Sequence, residues 1–263
     1  MYEERPARLA GAVVWTRATG PADPGTRPVL PDGCMDLIWA DGRLLVAGPD
    51  TRAYLPDGFA AHYAGLRFAP GEAPGVLGVE ASALRDRRVD LADLWGAREA
   101  RRLADGVTGA ADRAAALEGL VLRRAAGAPA PDPLLRAVVA RLRAGDGVGA
   151  AADAVGLGAR QLHRRSLAAF GYGPKTLARI LRLQRALALV RAGVPYAEAA
   201  YRAGCVDQAH LAREMRALTG TTLTGYTASY VAAETASYAA SYAASYTASA
   251  PGAPSAAASA WSA

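Results

Sequence analysis

Two short stretches of the sequence carry arginine and amide side chains at helical spacing. The first, ARQLHRR, places Arg160, His163 and Arg164 on one side of an expected helix and Leu162 on the other. An arginine can donate two parallel hydrogen bonds to O6 and N7 of guanine, and glutamine can pair similarly with adenine. The second stretch, DQAHLAREMRAL, would present four further side chains outward: Gln208, Ala209, Ala212 and Arg213. Both stretches therefore suit a helix that reads base edges.

Each stretch lies in the same arrangement of elements: a short helix, a glycine, a tight turn and a second helix. The two copies are ADAVGLGARQLHRR (152–165) and AAYRAGCVDQAHLARE (199–214). Leu157 or Cys205 would fill the gap between the paired helices, and Asp207 suits an N-cap. Between the copies, the periodicity predicts a helix of about 26 Å, compatible with recognition helices about 34 Å apart. This is the helix-turn-helix arrangement, present twice.

The positive charge of the chain is concentrated in the same region. Residues 1–131 hold 16 arginines against 17 acidic residues, whereas residues 132–226 hold 14 basic residues against 6 acidic ones. A localised basic segment is expected of a nucleic-acid-binding domain. Basic side chains around the two helices are candidates for phosphate contact: Lys175, Arg179, Arg182, His210 and Arg216.

Residues from about 132 to 226 resemble the DNA-binding domain of AraC/XylS-type transcription regulators. The resemblance rests on GLGARQLHRR, on GYGPK with LRLQRALAL behind it, and above all on AYRAGCVDQAHLAREMRALTG followed by TTLTGY. It implies two helix-turn-helix units joined by a central helix, with base contacts at the seven outward positions named above. Three positions depart from the family pattern: Ser166 and Cys205 replace large aromatic residues, and Gly158 replaces a serine or threonine N-cap.

The first half of the chain predicts a different kind of domain. Apolar runs at 10–15, 35–40, 43–48 and 61–68, separated by turn signals, predict strands, and helical periodicity begins near residue 74. The expected fold class is α+β: a small β-rich, barrel-like domain with helices at 1–127, then an all-α domain at 128–226. Residues 28–95 resemble the domain that precedes this DNA-binding domain in many actinobacterial regulators.

By analogy, the first domain would bind a small-molecule effector or mediate homodimerisation. Polar and aromatic residues on its strands are the candidates for a ligand pocket: Asp36, Trp39, His62, Tyr63 and Arg67. The alternative is structural, with Trp39 and Tyr63 in a small core and Arg67 paired with a carboxylate.

Residues 227–263 form a low-complexity Ala/Ser/Tyr tail, for which we expect disorder, with a partner-docking helix as the alternative. No apolar run is long enough for a membrane span. The start of the chain is unlike a secretory signal, and two distant cysteines favour a reducing cytoplasm.

Two other functions remain open from the residues. Cys34 could be the reactive thiol of a sensor, or of a DNA-directed enzyme such as a repair methyl acceptor, but neighbouring carboxylates raise a thiol pKa. A non-specific nucleic-acid-binding protein would need only scattered positive charge. The sequence contains no metal-ligand spacing or catalytic motif. We therefore expect a non-enzymatic, sequence-specific regulator that binds double-stranded DNA and needs no cofactor.

Overall fold

A computed structural model describes residues 2–19, 28–56 and 60–229. Its strands are β1 (Tyr2–Pro6), β2 (Val13–Ala18), β3 (Met35–Ala40), β4 (Arg43–Ala47), β5 (His62–Phe68) and β6 (Arg88–Asp90). The helices among and after the strands are α1 (Ala73–Leu77), α2 (Ala81–Leu84), α3 (Leu91–Trp95), α4 (Ala97–Thr108) and α5 (Arg113–Ala125). The remaining helices are α6 (Pro133–Ala144), α7 (Val148–Asp153), α8 (Ala159–Phe170), α9 (Pro174–Arg191), α10 (Tyr196–Ala203) and α11 (Gln208–Thr219). The α+β class is confirmed.

The strands of the described residues form one six-stranded antiparallel sheet with the order β1-β2-β5-β3-β4-β6. Between β3 and β4, Asp41 and Gly42 have φ values of +40° and +91°. Two consecutive positive φ values are typical of the hairpin turn whose twist matches that of paired strands. This turn fixes the register in which Asp36 lies opposite Ala47.

One face of the sheet packs against α3, α4 and α5 and forms the core of the first domain. Leu37, Val46 and Leu66 from the strands and Leu117 from α5 are fully buried there. Burial of each such side chain contributes about 1.5–3 kcal/mol relative to exposure. The helices therefore hold this face, and the other face carries half-buried side chains.

The helical domain is organised around α9, which packs against α6, α7, α8, α10 and α11. Leu177, Ile180, Leu183 and Leu187 are buried along its length. The first helix of the domain, α6, is capped by Asp132, whose side chain accepts a hydrogen bond from the Leu134 N–H at 2.9 Å. None of the described helices is long and apolar enough to cross a membrane.

The sheet domain contacts the helical domain at several points. The Ala53 N–H donates to the Leu218 carbonyl at the end of α11 at 2.8 Å. The side-chain amide of Gln184, on α9, donates to the Pro31 carbonyl at 2.6 Å. Helix α2 also packs against α8. The first domain therefore contacts both helix-turn-helix pairs.

Candidate nucleic-acid interface

The first helix-turn-helix pair consists of α7 and α8. Gly156 adopts a φ of +66°, the left-handed conformation that glycine adopts without strain. Leu157 is buried between the helices as predicted, and Leu162 anchors α8 in the core. The N–H of Gly158 donates to Oε1 of Gln161 at 3.3 Å, the half of a capping box that needs no side chain at the N-cap position.

The three predicted base-contacting residues of this unit, Arg160, His163 and Arg164, are all exposed on α8. His163 lies over the backbone of Gly173, where an added Cβ would come within 2.9 Å of the imidazole Cε1. The imidazole is therefore supported by the turn that precedes α9. The two arginines are left with the longer reach from the helix.

The second pair consists of α10 and α11, and its turn is fixed by two reciprocal hydrogen bonds. The Asp207 carboxylate accepts from the His210 N–H at 2.6 Å, so the predicted N-cap is confirmed. The His210 Nδ1 accepts from the Val206 N–H at 3.3 Å. The phosphate contact predicted for His210 stays a prediction, and Nδ1 of its imidazole holds the turn. Cys205 is buried in the gap between the helices as predicted.

Helix α11 separates an inward and an outward side. Leu211, Met215 and Leu218 are buried, as the periodicity predicts. The outward side carries the predicted base-contacting set, all of it exposed: Gln208, Ala209, Ala212 and Arg213. The fold thus leaves the reading side of α11 open to a ligand.

Glu214 is a functional residue that sequence reasoning missed. Its carboxylate is 6% exposed and accepts hydrogen bonds from Arg179 Nε at 2.9 Å and from Arg182 Nε and Nη2 at 3.1 and 2.9 Å. A buried carboxylate requires such compensation. The phosphate contacts predicted for both arginines stay predictions, and their Nε groups donate to Glu214 on α11. The available signal was that Glu214 is the one acid within α11 in a strongly basic domain.

Arg185, on the next turn of α9, joins α6 to the second helix-turn-helix pair. Its Nη1 donates to the Arg143 carbonyl at the end of α6 at 2.5 Å, and its Nη2 donates to the Ala203 carbonyl at the end of α10 at 2.7 Å. Burial, and secondarily the charge of Arg182, lower the pKa of Arg185. Lys175 and Arg216 stay exposed. We call Lys175, at the start of α9, and Arg216, in the last turn of α11, the outer basic residues.

The five candidate pocket residues of the first domain do not share one pocket. Asp36 lies opposite Arg67 in the strand register, and Tyr63 shares their face of the sheet by its even spacing from Arg67. Trp39 lies on the other face, where its Nε1 donates to the Thr108 hydroxyl in the core at 3.0 Å. Of the five candidates, Trp39, His62 and Tyr63 line an open cleft of about 250 Å³.

The face with Asp36 and Arg67 is electrostatically distinctive. Burial raises the pKa of Asp36 to about 6, although the Arg67 guanidinium and a 2.7 Å hydrogen bond from Trp15 Nε1 favour its charged form. Burial, reinforced by Asp32 and Asp36, raises the pKa of the Cys34 thiol well above its usual value. This thiol is therefore not an activated nucleophile.

The described residues contain no group of three or more His, Cys, Asp or Glu side chains that could hold a metal ion. They do contain an isolated carboxylate–guanidinium pair, Asp50 and Arg88, at 2.6 Å. The first domain thus offers charged pairs and aromatic side chains to a ligand.

Comparison with solved structures finds ToxT from Vibrio cholerae O395, with 8% identity and a TM-score of 0.42 over 86% of this chain and 96% of that chain. ToxT bound to (E)-4-(8-methylnaphthalen-1-yl)but-3-enoic acid has 8% identity and a TM-score of 0.44, covering 86% and 97%. Unsaturated fatty acid bound ToxT from Vibrio cholerae strain SCE256 has 8% identity and a TM-score of 0.42, covering 86% and 94%. No curated protein matches the chain significantly.

Two family profiles match separate parts of the chain. Residues 12–90 match a domain of unknown function, DUF6597, and residues 151–229 match a helix-turn-helix domain. The second match covers the end of α7 and all of α8 to α11, and it supports a DNA-binding transcription regulator. The resemblance to AraC/XylS-type regulators is thereby confirmed: the chain carries an AraC-type helix-turn-helix domain behind an N-terminal DUF6597 domain.

Proposed function

We propose that this protein is a sequence-specific transcription regulator that reads two adjacent major-groove segments of double-stranded DNA with α8 and α11. The observation that carries the proposal is the exposure pattern of these helices. Every predicted base-contacting side chain is exposed, while the residues that anchor the helices, Leu162, Leu211 and Met215, are buried. Such helices can enter a groove without unpacking from the domain.

The two helices offer different chemistry to the bases. Arg160 and Arg164 on α8 can each form a bidentate pair with guanine, and a good bidentate pair contributes about 1–3 kcal/mol of discrimination. On α11, Gln208 suits adenine and Arg213 suits guanine, while the two alanines offer only apolar contact. We therefore expect the first unit to contribute more of the polar readout.

The outer basic residues supply the phosphate contacts in this proposal. Lys175 and Arg216 are exposed and flank the reading helices. Arg179, Arg182 and His210 act mainly by holding α11, and the two arginines also add to the positive field that attracts DNA. Helix α9 has 18 residues, about 27 Å of helix, which suits a spacer between two successive grooves.

We place the domain boundaries at 1–127 for the effector or dimerisation domain and 128–226 for the DNA-binding domain. The first boundary falls in the segment between α5 and α6. Most of the proposed tail, 227–263, lies outside the described residues. A small-molecule effector and a second copy of the chain are the partners proposed for the first domain, with the Asp36 and Arg67 face as the polar candidate site.

Fluorescence-anisotropy titration tests the proposal directly. The purified chain is titrated with a duplex from upstream of its own gene and with a scrambled duplex, at two salt concentrations. A large preference for the first duplex supports specific reading. Equal, strongly salt-dependent binding to both would leave only a phosphate-driven interaction.

The substitution Arg164→Ala identifies a base contact. We expect a loss of about 1–3 kcal/mol on the specific duplex and relaxed selectivity at one base pair. Arg141→Ala is the matched control, because it removes the same positive charge at an exposed position of α6, where Arg141 pairs with Asp146. If Arg164→Ala weakens binding to specific and scrambled DNA equally, Arg164 does not read a base.

A further inference from the structure

The turn of the second helix-turn-helix unit contains one residue more than the turn of the first. In the first unit, only Leu157 lies between the left-handed glycine and the N-cap of α8. In the second unit, Cys205 and Val206 lie there. Leu157 and Cys205 are both buried between their helices, so the additional residue is Val206.

Val206 is 86% exposed, the highest value among the exposed large apolar side chains of the residues that the structure describes. Its position is fixed, because its N–H donates to His210 Nδ1 and the next residue, Asp207, caps α11. The turn therefore presents a rigid apolar side chain directly before the N-terminus of α11. Within residues 2–19, 28–56 and 60–229, no surface buries this valine.

We propose that Val206 is a specificity-determining residue that contacts the C5-methyl group of a thymine in the segment read by α11. This inference rests on the proposed function, in which the N-terminal turns of α11 face base edges. Thymine alone among the four bases carries a methyl group in the major groove. An isopropyl group complements that methyl in size and polarity.

The surroundings of Val206 favour a methyl group over a protein surface as its partner. The exposed residues close to it in the chain are mostly polar or charged, namely Arg202, Asp207 and Gln208, and Tyr201 on α10 is the one other large apolar side chain among them. A stable protein interface needs a broad buried patch with apolar residues at its centre. Val206 in a mainly polar stretch is smaller than such a patch and instead matches a single methyl group. Ala209, exposed on the first turn of α11, extends the apolar contact by one small side chain.

The test compares thymine with uracil, which differs only by the C5-methyl group. A binding site is first selected from a random duplex library with the wild-type protein, and Arg213→Ala identifies the half of the site that α11 reads. Thymines in that half are then replaced by deoxyuridine one at a time. Affinities of the wild type and of Val206→Ala are measured on each duplex by anisotropy.

At one thymine, Val206→Ala is expected to lose about fourfold in affinity, the change that burial of one methylene-sized group produces. On the uracil duplex at that position, the two proteins are expected to bind equally. Leu55→Ala, which removes a 56% exposed apolar side chain from the first domain, serves as the matched control and should lose nothing on either duplex. Because Val206 is exposed, its substitution leaves the fold intact, which a thermal melt verifies.

Three results would overturn the inference. Val206→Ala could bind every duplex like the wild type, which would leave the valine for contact with a protein partner. It could lose the same affinity on thymine and uracil duplexes, or the α11 half of the selected site could contain no thymine. In all three cases the wild type still selects a sequence, so the proposed function stands. If the wild type selects no sequence, the proposed function fails together with the inference.

Discussion

Glu214→Gln tests how α11 is held against α9. The carboxylate is buried and receives three charge-assisted hydrogen bonds, whereas the side chains of Arg179 and Arg182 are 42% and 24% exposed. Loss of one partner of a fully buried pair costs roughly 3–5 kcal/mol. Solvent screening of the two arginines reduces this value. We expect the free energy of unfolding to fall by about 2 kcal/mol, roughly half of the fully buried case.

Glu214→Gln is expected to have two opposing effects on DNA binding. Glutamine removes one negative charge, so attraction to phosphate increases, while α11 loses the contacts that orient it. We therefore expect affinity for scrambled DNA to stay constant or rise, and affinity for the selected site to fall. The preference for the selected site over scrambled DNA, measured as the ratio of the two affinities, should therefore decrease. Urea unfolding followed by circular dichroism gives the first quantity, and anisotropy on both duplexes gives the second.

Glu198→Gln is the matched control, because it removes the same charge from an exposed carboxylate that pairs with Arg202 in the same domain. An exposed pair of this kind contributes at most about 0.5 kcal/mol. If both variants lose the same stability and change DNA binding alike, net charge explains the result. The assignment of Glu214 as the anchor of α11 would then be refuted.

The remaining predictions concern two carboxylates of the first domain. Burial alone would raise the pKa of Glu118, but hydrogen bonds from the Arg5 side chain and the Arg8 N–H lower this pKa below its usual value. The ionised Glu118 therefore stabilises the fold above the pKa that Glu118 has in the unfolded chain. This stabilisation is lost as pH falls through the pKa of Glu118 in the folded protein. Glu118→Gln should cost about 2 kcal/mol at neutral pH and flatten the acid limb of the stability curve in urea titrations; an unchanged limb contradicts this. Asp36 has a pKa raised to about 6, so stability is full below its unfolded pKa and decreases as pH rises through about 6. Asp36→Asn should abolish that decrease in urea titrations over the same pH range, and a decrease that persists would be due to another group.

The helical domain was predictable because its signals are local. Asp132 and Pro133 mark the start of α6, leucine periodicity marks the buried sides, and glycines mark the turns.

The first domain was less predictable. Helical periodicity begins near residue 74, but the region up to 127 is divided into the five helices α1 to α5 and also contains strand β6. Gly78 and Gly96 adopt φ values of +76° and +85° and end helices there, although a glycine is also tolerated inside a helical pattern.

Strand β1 was missed for a different reason. All of its side chains are exposed, so it shows no alternation of apolar and polar residues. Its position depends on pairing with β2 and on the contact between Arg5 and Glu118, which are 113 residues apart in the chain. Sequence pattern carries no information about such a contact.

The candidate sites show the same division. Exposure of the base-contacting residues followed from helical periodicity alone. The pairing of Glu214 with Arg179 and Arg182 spans more than 30 residues and depends on how α9 crosses α11, which no local pattern specifies. The placement of Asp36 and Trp39 on opposite faces of the sheet could have been predicted from the sequence, because residues three apart on a strand lie on opposite faces.

The contacts between the two domains act on the ends of the reading helices that lie away from the bases. After α8, Gly171 packs so closely on Pro49 that an added Cβ would lie 2.7 Å from its Cγ, and the Gly171 carbonyl accepts from Arg85 at 3.4 Å. After the last turn of α11, the Leu218 carbonyl accepts from the Ala53 N–H. The N-terminal turns of both helices carry no such contact in the described residues and stay exposed. The first domain therefore contacts residues at the C-terminal ends of α8 and α11 and leaves the side chains exposed on their N-terminal turns uncovered.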